Sequence, residues 1–110
     1  MPSTQTRAIS EKLLSLPLGR HVNDFLNYLS VEAGLAENTI QAYGRDLKSF
    51  LQHCNSHKIK NLLKIKPAFI QNYLVHLSRS NKDEASIKRA LVAIKTFFKF
   101  AHLNNLTESD

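Results

Sequence analysis

Lys88, Lys95 and Lys99 recur along the stretch EASIKRALVAIKTFFKFAHLN, residues 84–104, so that on a helix they share one side, flanked by Arg89, Ala93 and Thr96. A row of ammonium groups is suited to one kind of chemistry, the displacement of counterions from phosphates. Arg45 and Arg89 add a planar fork that grips an oxyanion, or a guanine edge, through two hydrogen bonds. Phosphate contacts outnumber base contacts in such surfaces, so positioning on a backbone is the role expected of these two arginines. Thr39 and Ser86 stand near helix starts, where a hydroxyl caps the helix or meets a phosphate.

Other chemistries find less support. Tyr43 and Tyr73 fall on apolar stripes, as core residues do, Tyr28 borders one, and none of the three is expected to be a nucleophile. His53, Cys54 and His57 lie close in sequence, but Cys54 points to the apolar side and no fourth ligand is evident, so no metal site is expected. His21, His76 and His102 have no partner pattern for acid–base work. Paired acids, a nucleophile–base set and a glycine-rich phosphate loop are all missing from the sequence, and neither enzyme activity nor a cofactor is expected of this chain.

Helices must position the cations. Val22, Phe25, Leu26 and Leu29 mark a helix over 21–33, closed by Gly34. A second is expected from Asn38, as N-cap, to Asn55, with Ile40, Tyr43, Leu47, Phe50, Leu51 and Cys54 inward. Its other side carries Gln41, Arg45, Lys48 and Gln52, with the small Ala42 and Ser49 beside them. Gly44 at mid-helix costs about 1 kcal/mol against alanine, and close helix packing is its simplest explanation. A loop with Lys58, Lys60, Lys64 and Lys66 leads to a third helix over 67–80, opened by Pro67. The fourth, 84–104, turns Ile87, Ala90, Leu91, Ile94, Phe97, Phe98 and Ala101 inward and leaves Phe100 off the stripe. Four main helices with short connections make an all-α bundle. Residues 1–17 are expected to be mobile, with one short helical turn stopped by Pro17 and Gly19, ahead of a domain over 18–106.

Charge separates the halves. Residues 1–55 balance five basic side chains against five acids, whereas residues 56–110 carry ten basic against four, which accounts for the whole net charge of +6. A one-sided basic field points to nucleic acid or anionic lipid. Lipid is the poorer fit, because every apolar face is needed for the core and no run approaches the ~20 residues that span a bilayer. One cysteine and no secretory leader are expected of a soluble cytoplasmic protein.

Two stretches resemble a known family. Asn38-Thr39-Ile40-x-Ala42-Tyr43-x-Arg45-Asp46-Leu47-x-x-Phe50 is similar to a helix of the core-binding domain of tyrosine recombinases, the phage integrase and Xer group. Ser86-Ile87-x-Arg89-x-Leu91-x-Ala93-Ile94-Lys95-x-Phe97-Phe98-x-Phe100 is similar to that domain's later helix, and the match spans Val22–Asn105, closest to the Xer-like branch. The resemblance implies a four- to five-helix, SAM-like orthogonal bundle that clamps one side of duplex DNA while a separate catalytic domain closes from the other. It implies strand cleavage and rejoining through a phosphotyrosine, without metal or cofactor, by that other domain. By position it assigns DNA contacts to Thr39, Gln41, Ala42, Arg45 and Lys48, and to Ser86, Lys88, Arg89 and Lys95.

Gly44 departs from the family's usual polar or basic residue. Asp110 falls where an interdomain linker is expected to begin, so this chain is expected to bind DNA as a monomer without cutting it. In the full assembly, recombinase protomers are the implied partners. The alternative from the residues alone is a helical protein-interaction module whose basic face meets an acidic partner. The DNA reading requires Arg45 and Arg89 to face the same way and not to be buried in ion pairs.

Overall fold

The computed structural model describes residues 11–106, and these are helical with no strand among them. Residues 11–14 form a helical end, followed by α1 (Gly19–Val31), α2 (Glu37–Ser56), a short 3₁₀ turn (Leu62–Lys64), α3 (Pro67–Arg79) and α4 (Glu84–Leu103). The expected all-α bundle of four to five helices is the fold observed.

The helix ends follow local chemistry, with one correction. Gly34 at φ 66° closes α1, and the Leu35 N–H returns to the Leu29 carbonyl at 3.0 Å, a glycine-centred stop. Pro67 opens α3 at its first turn. Asp83 caps α4 by accepting the Ser86 N–H at 2.8 Å. Asn38 does not cap α2, which starts at Glu37 behind Ala36 with no side-chain cap bond. The acid in the first turn, facing the positive end of the helix dipole, supports that start instead.

The core forms where α1, α2 and α4 meet. Phe25, Phe50, Phe97, Leu47 and Ile94 are wholly buried. The Phe25 and Phe97 rings meet edge to face at 5.7 Å. Tyr73 of α3 packs on Phe50 at 5.1 Å. Burial raises its phenol to about 12, with the nearby Asp46 charge and Cys54 adding to the effect. Gly44 is buried.

Two apolar assignments shift. Ala93, placed beside the lysines, is wholly buried, while Leu91 is only half-buried. Phe100 is not free, because its ring lies 5.4 Å from Phe25 and 5.3 Å from Tyr28. Within the segment expected to be mobile, Leu13 is wholly buried, so residues 11–14 are part of the packed bundle; residues 1–10 and 107–110 lie outside the described ones.

Candidate nucleic-acid interface

Between α2, α3 and the start of α4 lies a cleft of about 270 Å³. Arg45 and Lys48 enter it from α2, Ser86 and Arg89 from α4, and Lys82 from the turn between α3 and α4. Asp46 is the only acid among the described residues that line it. Arg89 donates from Nε to Asp46 Oδ2 at 2.8 Å and from Nη2 to Oδ1 at 2.9 Å. The hydrogen bonds to Asp46 raise the guanidinium's already high pKa further, so its charge is permanent. The pair is not a buried one: the Arg89 side chain is 43% exposed above an Asp46 that is 12% exposed. Among the described residues, Arg45, Lys48 and Lys82 form no ion pair. The Ser86 hydroxyl, and then its N–H, hold the Asp83 carboxyl below its usual range, which keeps the cap ionised.

The sequence-assigned residues therefore divide. Arg45, Lys48, Ser86 and Arg89 come together in one cleft. Ala42 is half-buried one turn before Asp46, and Thr39 is exposed in the first turn of α2. Gln41 is 8% exposed and engaged within the domain, so its side chain is largely covered. Lys88 and Lys95 are exposed but do not line the cleft; at about 100° per residue they sit roughly 100° and 120° around α4 from Arg89. Lys88 pairs with Glu84 at 3.2 Å, and both side chains are largely solvated. The stripe with Lys99 is thus a separate outer flank.

The sequence does not single out Lys82, whose stretch reads only as a polar turn. Asn81, left-handed at φ 64°, and the Lys82 N–H returning to the Leu77 carbonyl at 3.2 Å bring it back over the cleft. No sequence spacing announces that geometry.

With this geometry in place, comparison with known proteins decides the family. The profile of the phage integrase N-terminal SAM-like domain matches residues 22–105. The chain belongs to that family. Within it the chain is a Xer-like tyrosine-recombinase N-terminal domain. It is 38% identical to tyrosine recombinase XerD of Halalkalibacterium halodurans over 94 residues, which cover 84% of this chain and 31% of that protein. A putative tyrosine recombinase of Caldanaerobacter subterraneus is 37% identical over 81% of the chain and 30% of its own length. Tyrosine recombinase XerC of Leptospira interrogans is 32% identical over 84% and 30%. The chain thus spans less than a third of the length of each of these relatives. No solved structure matches it. No helix among the described residues is long and apolar enough to cross a membrane.

Beside Tyr73, which also lines the cleft, the domain carries an imidazole cluster. His53 lies 4.4 Å from His57 and 5.0 Å from His76, ring to ring, and 5.3 Å from Phe69. Cys54 is 1% exposed, its thiol pKa raised to about 12 by burial. Among the described residues no group of three or more histidines, cysteines and acids is placed to hold a metal.

Burial, then His57 and His76, hold the His53 pKa below its ordinary value of 6.5. As pH falls past that ordinary value, the unfolded chain therefore takes up its proton first. The stability from neutral His53 is present above about 6.5 and is lost as pH falls through the lower folded value. Thermal melts should show Tm declining below neutral pH, and His53→Gln should flatten that decline. An equal slope in the variant would remove His53 as its source.

Proposed function

We propose that this is the duplex-DNA-binding domain of a site-specific tyrosine recombinase. It clamps one face of the DNA, and a separate domain of the parent protein cleaves and rejoins strands. The observation that carries the reading is the cleft itself. Four cations from α2, α4 and the connecting turn converge there on one shared opening, against a single acid. Such convergence neutralises neighbouring phosphates and releases their counterions, which gives affinity that falls steeply with salt. Ser86, half-buried in the cleft, brings the start of α4 to the same surface. Thr39 and Ala42 extend this surface along α2, and Lys88, Lys95 and Lys99 add long-range attraction from the outer flank. In the parent assembly, further recombinase protomers are the partners.

Titration with a mixed-sequence duplex should shift backbone amide signals over 45–49 and 82–89 first, as read by NMR. Shifts confined to α1 and the 3₁₀ turn, or indifference to DNA at low salt, would overturn the reading and favour an acidic protein partner. Lys82→Gln supplies an independent check on the cleft. It should lower the slope of log affinity against log salt by about 0.9, the loss of one phosphate contact. An unchanged slope would take Lys82 out of the interface.

A further inference from the structure

We propose that Asp46 is a positioning residue of this cleft: by holding two donors of the Arg89 guanidinium, it fixes the plane in which Arg89 meets a phosphate. The inference rests on the DNA reading above and adds to it a residue of the opposite charge. An acid in a surface that receives a polyanion opposes binding in Coulomb terms. Yet Asp46 lies inside the cleft, next to Arg45 in sequence and one turn from Ser49. Its placement beneath Arg89, with the guanidinium more exposed than the carboxylate, is what an orienting group requires. The bonds from Nε at 2.8 Å and Nη2 at 2.9 Å make a fork-to-fork pair.

A guanidinium has five N–H donors, and this pair occupies two of them. Both protons of Nη1 and the second of Nη2 remain, on the edges turned away from Asp46. Arg89 can therefore keep its carboxylate and accept a phosphate together. Because the side chain is already ordered by the carboxylate, it has less rotamer freedom to lose when DNA arrives. Lysine has no planar fork and could not hold both partners in this way.

The opposing view is that the pair only ties α2 to α4, and that its acid weakens DNA binding. The two views differ in sign. Asp46→Asn keeps the shape and removes one negative charge, so charge alone makes it bind a mixed-sequence duplex more tightly at low salt. Positioning makes it bind more weakly, by about three- to tenfold. Arg89→Lys, which keeps the charge, should lose a similar factor, and the double variant should be no worse than either single one. Fluorescence anisotropy well below each variant's Tm keeps loss of fold out of the comparison. Should Asp46→Asn not fold, Arg89→Lys and the Arg89 Nε–H proton signal carry the test. That signal should stay protected from exchange when wild type binds DNA. Tighter binding by Asp46→Asn, indifference to Arg89→Lys, or loss of the protected signal on binding would each overturn the proposal. A wild-type chain that ignores the duplex overturns the DNA reading instead, and this inference with it.

Discussion

Arg45→Glu is expected to weaken binding to a mixed-sequence duplex at low salt by roughly 30- to 150-fold, about 2–3 kcal/mol. Arg45 is exposed, lines the cleft and makes no ion pair among the described residues, so no internal contact offsets the change. The reversal removes one phosphate contact and places a like charge against the next phosphate. Thermal stability should hardly move, because substitutions at exposed sites away from packing usually stay within about 0.5 kcal/mol. Lys95→Glu makes the same change in net charge on the outer flank of α4. It should cost only a few-fold, through the long-range field, and the cost should fade as salt shortens the Debye length. Anisotropy titrations of both variants at two salt concentrations make the comparison. Equal losses would mean that DNA meets the lysine stripe or a diffuse positive field, and that the cleft is not the contact surface.

That contrast also marks where sequence patterns stop being informative. The 3.6-residue period located α1, α2 and α4 to within a few residues, and Val22, Phe25, Leu47, Phe50, Ile94 and Phe97 are all buried as it requires. Large side chains report the direction of a core well; small ones and turns do not. Helix α4 packs against α1, α2 and α3, so its innermost face includes Ala90, Ala93 and Ala101, whose size permits close approach. An apolar pattern weighted by bulk puts the core centre nearer Leu91 and groups Arg89 with the lysines. In the folded domain Arg89 instead turns toward α2, where it meets Asp46, 43 residues earlier. That pairing, the covering of Gln41 and the return of Lys82 over the cleft depend on how helices cross and how one turn closes. None of the three has a local signature.

Gly19 makes the same point with a larger energetic consequence. In sequence it reads as a stop after a short helical turn, whereas in the structure it is the first residue of α1 and is buried. A Cβ added there would overlap the Leu13 carbonyl oxygen and lie 2.5 Å from its carbon. Both are backbone atoms, so no side-chain rotation relieves the overlap. Gly19→Ala must push apart α1 and the segment over 11–14, or tilt the start of α1. It is expected to cost about 3 kcal/mol or more, the upper end for overpacking, and to lower Tm by roughly 12–20 °C for a domain of this size.

Leu13 separates the two routes. It is wholly buried, and Leu13→Ala alone should cost about 2–5 kcal/mol. If Gly19→Ala acts by expelling residues 11–14, Leu13 is already lost from the core in that variant, and the double variant should be little worse than Gly19→Ala. If α1 tilts while Leu13 stays seated, the two costs should add, within the few tenths of a kcal/mol expected of independent sites. Wild-type stability in Gly19→Ala would mean that the two segments do not touch, and would detach residues 11–14 from the bundle.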